Sequence, residues 1–356
     1  MTVHQSQRYR LCCVGPMVGR HPGLVTTQGE ILAGFFRADG YPVVSVSDEP
    51  NRYRRLVDII WTIIRTRQQV DIQFLNIYGG PSFVVEDAAS LLARLFGHRI
   101  VMVLRGGEMP VFSARFPRWT RRVLARADVL IAPSPFLARA VESYGFTARV
   151  IPNAIDLSLY RFRHRTALRP KLFWMRTFHP IYNPMMAVRV LARLRERYSD
   201  ATLVMGGGDL GTRGKVEQEA HALGLNGALR ITGFLKADGK AREGGAADIF
   251  INTNDIDNMP VAVVEACAMG LPIVATDAGG VPDLLTDGVT GLIVPCNDDE
   301  RMASAIERLL KDPNLAGKLS QNGRRLSEES SWQNIRPQWQ RLFEELMSRP
   351  DRMNGE

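Results

Sequence analysis

Residues 257–294 run in a fixed order: a carboxylate (Asp257), an apolar helix start, a second carboxylate (Glu265), a strand, and a glycine pair (Gly279, Gly280). The strand (Leu271, Pro272, Ile273, Val274, Ala275) is apolar throughout. Such a strand needs cover on both faces, as in the interior of a parallel sheet. Carboxylate, helix, strand and glycine turn in this order are how a doubly wound sheet presents a site for a phosphorylated ligand.

The rest of the chain alternates in the same way. Short apolar runs at 9–15, 41–46, 71–76, 100–104 and 129–132 are separated by helical patterns, and several end in glycine-bearing loops. The alternation breaks over the polar stretch 156–170, read as a hinge, and resumes at Leu172. Strands follow at 202–206, 229–232, 249–252 and 272–276, and an amphipathic tail helix carries Trp332, Ile335, Trp339, Phe343 and Leu346 at helical spacing. The chain, at 356 residues, is too long for one ordinary core. The expected fold is α/β: two Rossmann-like doubly wound domains, with ligands bound in a cleft between them. The expected bounds are 1–160, 161–330, and a closing helix over 331–356 that crosses back to the first domain.

Composition removes several classes. Apolar content of 45% and charged content of 23% belong to a globular protein. No apolar run reaches the ~18–20 residues that span a bilayer. The stretch MTVHQSQRYRLCC lacks the apolar core of a secretory leader, so export is not expected. Cys12, Cys13, Cys267 and Cys296 show no metal-ligand spacing and read as small buried side chains in a reducing compartment. The net charge is +8, and residues 51–130 hold 13 arginines, no lysine and 6 acids. Arginine without lysine suits phosphate contact: a nucleic acid, an anionic lipid leaflet or a diphosphate-linked acceptor. A solvated basic face is the plainer alternative. Within that stretch, Leu56, Val57, Ile59, Ile60, Trp61, Ile63 and Ile64 form an apolar helix flanked by arginines. It reads as the core face of a Rossmann helix, with a bilayer-interface helix as the alternative.

The candidate chemistry sits at strand ends. Asp257 and Glu265 are acceptors suited to vicinal hydroxyls. Pro260 suits a first helical position, and the free amides from about Met259 to Ala262 would then be able to hold a diphosphate. Arg176 follows an apolar strand and is placed to bridge phosphate oxygens. No lysine follows Arg176 until Lys215, so either another cation serves there or Asn183 holds a phosphate without charge. Gly19 lies in a glycine-bearing loop after the first strand, and His21 in the same loop is a candidate acceptor contact. Arg105, followed by Gly106-Gly107, cannot be a base near neutral pH, and would hold an anionic acceptor group with Glu108 nearby. Asp255-Ile256-Asp257 spells a metal-binding Asp-x-Asp, but that motif belongs to a one-domain fold, so no metal is expected.

These residues resemble the family 4 retaining glycosyltransferases, of the GT-B fold. Asp257 and Glu265 match its spaced carboxylates, with Asp where the family has Glu. Ile151-Pro152-Asn153-Ala154-Ile155-Asp156 is similar to its linker, and Met205-Gly206-Gly207-Gly208-Asp209 to its second glycine turn. The resemblance implies a retaining hexosyltransferase. Its donor would be a nucleotide-diphosphate sugar, and its acceptor a glycan or lipid-linked molecule of envelope or exopolysaccharide synthesis. It implies Arg176 and Asp257 as catalytic. It implies Gly19, Arg176, Asn183, Asp257, Met259, Pro260, Val261 and Glu265 at the donor, and His21, Arg105 and Glu108 at the acceptor. No cofactor is expected. The expected place is the cytoplasm, with peripheral contact at an anionic inner membrane face and no nucleic acid partner. The missing lysine and the Asp257 substitution leave a catalytically impaired nucleotide-sugar-binding homologue as the alternative. A dehydrogenase would want GxGxxG, and a glycan phosphorylase a pyridoxal lysine. Neither is evident.

Overall fold

The computed structural model describes residues 8–21 and 23–350. Residues 1–7, 22 and 351–356, the last of them part of the expected closing segment, lie outside these residues. The chain forms two compact units: the first runs to Ala154 and resumes at Ile335, and the second is Ile155–Asn334.

The first unit holds strands β1 (Leu11–Val14), β2 (Val43–Val46), β3 (Ile72–Ile77), β4 (Arg99–Leu104), β5 (Val129–Ala132) and β6 (Ala148–Val150). Its helices are α1 (Gln28–Ala38), α2 (Arg52–Arg65), α3 (Phe83–Leu95), α4 (Met109–Arg115), α5 (Pro117–Leu124) and α6 (Pro135–Glu142). The strands pair in parallel in the order β2-β1-β3-β4-β5-β6. The order reverses between β1 and β3. Right-handed crossovers therefore put α1 on one side of the sheet and α2, α3 and α5 on the other.

The second unit holds β7 (Lys171–Met175), β8 (Thr202–Gly206), β9 (Leu229–Gly233), β10 (Ile249–Asn252), β11 (Ile273–Thr276) and β12 (Leu292–Val294). Its helices are α7 (Pro184–Arg195), α8 (Arg213–Ala222), α9 (Ala237–Ala246), α10 (Val261–Ala268), α11 (Val281–Leu284), α12 (Asp299–Lys311) and α13 (Pro313–Glu329). All strands are parallel, in the order β9-β8-β7-β10-β11-β12. This is the doubly wound order with its switch point between β7 and β10. Period-two alternation divides β7 between two cores. Leu172 and Trp174 join the face covered by α7, α8 and α12, while Phe173 and Met175 join the face covered by α10.

The last helix, α14 (Trp332–Met347), starts in the second unit and belongs to the first from Ile335 onward. Its Trp339 and Phe343 rings lie 5.8 and 5.3 Å from the Phe36 ring on α1, so the tail's apolar spacing is a packing stripe.

The stretch 156–170, read as a hinge, is instead fastened to the second unit. The buried Arg165 guanidinium donates to the carbonyls of Ala247, Gly244, Met269 and Arg163. Arg163 and Arg169 both donate to Asp248 just before β10, at 2.6 and 2.8 Å. The polar groups of this stretch are spent largely on orphan carbonyls at helix ends. Burial raises the Asp248 pKa, but the arginine hydrogen bonds outweigh it and leave the carboxyl below the ordinary range. A carboxyl with a depressed pKa contributes stability that is present above its unfolded pKa and lost as pH falls through the folded value. Asp248→Asn should therefore cost about 2–3 kcal/mol near neutral pH. Urea titrations should show the gap to wild type closing as pH falls below the ordinary carboxylate range.

Candidate functional site

The switch point brings together the loops that leave β7 and β10. Arg176 follows β7 directly, and Asp257 lies in the loop between β10 and α10. The two side chains form an ion pair, with Arg176 Nη2 on Asp257 Oδ2. Asp257 is buried and also accepts from its neighbour Asn258 N at 2.8 Å and from Asn254 Nδ2. Arg176 lies over the ring of Tyr182, 4.6 Å from its centroid. Burial pulls the guanidinium below its ordinary pKa, and the neighbouring Tyr182 and Glu265 work against that. The Arg176 Nε–H is buried with no acceptor. A buried charge with an unsatisfied donor is costly unless something comes to fill it.

Glycines allow this convergence. A methyl group on Gly207, in the turn after β8, would overlap the carbonyl oxygen of Arg176. Methyl groups on Gly279 and Gly280 would overlap the carbonyl oxygens of Asp257 and Asn258. Gly280 N donates to the Asp257 carbonyl at 3.0 Å. The turn after β11 thus lies on the backbone of the β10 loop because both positions lack a side chain.

Helix α10 begins after Pro260, which gives no side-chain cap. Val263 N and Val264 N return to the Pro260 carbonyl, while Met259 N donates to Asn258 Oδ1. The expected Met259 amide is thus already engaged, and the Val261 and Ala262 amides remain as the helix's open donors. Further along, Glu265 is buried and accepts on both oxygens. Tyr160 donates to its Oε1 at 2.7 Å, and Lys240 Nζ lies 2.9 and 3.0 Å from its two oxygens. Burial, and next the Glu265 charge, hold the Tyr160 hydroxyl far above the ordinary tyrosine range. Tyr160 and Lys240 are functional candidates that the sequence did not yield. Lys240 sits on α9, whose sequence ADGKAREGGA has no apolar period to mark it as a helix.

Asn183 is placed otherwise than expected. It has left-handed backbone and caps α7 through Met186 N, and its Nδ2 donates to Asp255 and Asn297. Its polar atoms thus serve the loop that carries Asp255. The same contacts occupy Asp255, the first acid of the Asp-x-Asp. Among the described residues no group of three or more His, Cys, Asp or Glu is gathered for a metal ion.

In the first unit the expected contacts are also partly spent. Gly19 N donates to Glu30 at 2.9 Å, and a methyl group there would overlap Thr26, so this glycine serves loop packing. His21 Nε2 lies 2.7 Å from the Asp48 carbonyl. Arg105 donates to Asn76 at 2.9 Å and to Asn153 of the linker motif at 2.6 Å. Burial lowers its pKa to about 10, so it stays charged at neutral pH as a partly buried tie between β3, β4 and the linker. Glu108 is exposed at the start of α4. Cys12, Cys13 and Cys267 are buried free thiols, and Cys296 is half-buried. Burial raises the pKa of each, Cys12 and Cys267 to about 12 and Cys296 to about 11, so none is poised as a thiolate.

Comparison with known proteins agrees with this architecture. The family described as glycosyl transferases group 1 matches residues 161–326, and the family described as Glycosyltransferase Family 4 matches residues 30–159. A GDP-mannose-dependent alpha-(1-6)-phosphatidylinositol monomannoside mannosyltransferase of Mycolicibacterium smegmatis is 29% identical, over 88% of this chain and 85% of its own. Sucrose-phosphate synthase of Thermosynechococcus elongatus has a similar structure, with a TM-score of 0.81 at 17% identity over 96% of this chain and all of that one. Anabaena HepE in complex with UDP and glucose gives a TM-score of 0.75 at 18% identity, over 95% of this chain and all of that one. The fold is GT-B.

Gly280→Ala tests the packing on which the site rests. Overlap with the Asn258 carbonyl should cost about 1–3 kcal/mol, read as a lower denaturant midpoint. Gly288→Ala, at a position open to solvent but with φ of +67°, should cost only about 1 kcal/mol.

Proposed function

Because the chain belongs to the family 4 glycosyltransferases, we propose that it moves a hexosyl unit from a nucleotide-diphosphate sugar to a glycan or lipid-linked acceptor, with retention of anomeric configuration. The observation that carries this reading is the buried, unpartnered Nε–H of Arg176 at the β7/β10 switch point. A diphosphate supplies the acceptor that this donor lacks. The open amides of Val261 and Ala262 at the start of α10 add partial positive charge for the same group.

In this reading Arg176 and the α10 amides stabilise the negative charge that grows on the departing nucleoside diphosphate. Asp257 orients Arg176 and faces the transferred sugar. Glu265 receives the ribose hydroxyls, positioned by Tyr160 and charge-balanced by Lys240. The family pattern puts a lysine shortly after Arg176, and Lys240 brings an ammonium group to the same site from α9. The departing diphosphate takes the acceptor's proton, so no protein base is assigned. Of the donor classes, GDP-mannose is favoured, since the Mycolicibacterium smegmatis relative is named as GDP-mannose-dependent. Synthesis of a cell-envelope glycan is the matching setting.

The test is nucleotide release and thermal shift with GDP-, UDP-, ADP- and dTDP-sugars. One nucleotide class should raise Tm and be turned over. Arg176→Ala should lower kcat/KM about 100-fold or more while the fold persists. Glu265→Ala should abolish the thermal shift. Stabilisation without turnover would replace the transferase with the nucleotide-sugar-binding reading, and no response to any donor would remove both.

A further inference from the structure

Helix α9 lies directly against the end of α10. A methyl group on Gly244 would overlap the thioether of Met269, the residue that caps α10. Lys240 stands four positions before Gly244, and Glu265 four positions before Met269. Four positions are about one helical turn, so both side chains lie close to that contact. The Lys240 ammonium reaches both carboxylate oxygens, at 2.9 Å to Oε1 and 3.0 Å to Oε2. Tyr160 comes from the stretch before β7. It is 5% exposed and belongs to the same core as Phe173, Val263 and Met269. Its hydroxyl donates to Glu265 Oε1 at 2.7 Å. Burial and the Glu265 charge keep that hydroxyl protonated, so it donates throughout the neutral range.

These contacts can be counted. A carboxylate only accepts, and its two oxygens offer about four lone-pair positions. Tyr160 and Lys240 fill both positions on Oε1, and Lys240 fills one on Oε2. A single position remains, on Oε2. The vicinal hydroxyls of a ribose would need two. The occupants are not free to withdraw. The Tyr160 ring is packed in the core, and moving its hydroxyl off Oε1 would strand a buried donor. Moving the ammonium away would leave a carboxylate that is 7% exposed without the cation that touches it.

We propose that Tyr160 and Lys240 set ribose selectivity by leaving Glu265 a single acceptor position, so that the site takes one hydroxyl of the donor's ribose and tolerates a nucleotide that lacks the other. The proposal rests on the transferase reading, in which Glu265 meets the ribose, and narrows that contact from a diol to one hydroxyl. Tyr160 and Lys240 act through Glu265 and are specificity-determining residues. The hydroxyl that Glu265 accepts makes a hydrogen bond to a charged group, and its loss leaves the last position empty in a buried setting. The other hydroxyl has no position to lose. The two ribose hydroxyls therefore count unequally.

Calorimetric binding of GDP, UDP and ADP to the full chain, each beside its 2′-deoxy and 3′-deoxy forms, tests this. For a parent that binds, one deoxy form should stay within about threefold of it, and the other should be weaker by about tenfold or more. Tyr160→Phe keeps the ring and opens a second position on Oε1. It should turn the tolerated deoxy form into a discriminated one, with its deficit against the parent rising to about tenfold. A purely structural role for Tyr160 would weaken all forms alike and leave the ratios unmoved. The wild-type ratios test the count even without a folded variant. Equal weakening of both deoxy forms, equal tolerance of both, or an unchanged ratio in Tyr160→Phe would overturn the proposal. Equal weakening would leave the transferase reading intact. Silence towards all three parents would remove that reading and this proposal with it.

Discussion

The arrangement depends on one neighbour relation: β7 and β10 lie side by side although the chain visits two strands between them. Right-handed crossovers then send the following helices to opposite faces, and the sheet opens at its carboxyl edge between these strands. Arg176 leaves β7 and Asp257 leaves β10 at that opening, and their ion pair closes it. The neighbouring turns and ring pack around this pair. Gly207 admits the backbone behind Arg176, Gly279 and Gly280 admit the backbone behind Asp257, and Tyr182 covers the guanidinium.

The fold was legible in the sequence because its strands are buried on both faces. Runs such as Ile249–Asn252 and Ile273–Thr276 have no polar alternation that could suggest an antiparallel sheet. Arg176, Asp257 and Glu265 were legible for a related reason, since each stands next to a strand or helix boundary that periodicity marks. Their partners were not. Lys240 reaches Glu265 across 25 positions and Tyr160 across 105, and no local spacing records such distances. Asn183, Gly19 and Arg105 show the opposite failure. Their types suit ligand contact, but the same hydrogen-bonding capacity satisfies a helix cap, a loop carboxylate and a linker asparagine. A sequence lists donors and acceptors without saying whether the protein itself has already used them. The polar stretch 156–170 is a similar case, because Arg165 within it is buried among carbonyls.

Arginine is used in two physically distinct ways. Arg105, Arg165 and Arg176 are interior groups, where desolvation lowers the pKa without discharging the side chain. Guanidinium tolerates this because its charge is spread and its donors are many. Arg54, Arg65, Arg115, Arg118 and Arg121 are exposed on helices and lack acidic partners. The net charge is therefore a poor summary. The interior arginines hold loops in place, and the surface arginines set the long-range field of one face.

Helix α9 contains Gly239, Gly244 and Gly245 among its 10 residues. Gly244 is explained by packing, since a methyl group there would overlap the Met269 thioether, and Gly239 lies close to Leu235. Each interior glycine nevertheless lowers intrinsic helix stability by about 1 kcal/mol relative to alanine. Close packing is thus obtained at the expense of the helix's ability to hold itself together. The lysine that completes the environment of Glu265 rides on this glycine-rich helix. Lys240 therefore reaches Glu265 from a helix with a weak hold on its own winding, and the contact depends on the packing of Leu235 and Met269 against α9 as much as on the helix itself.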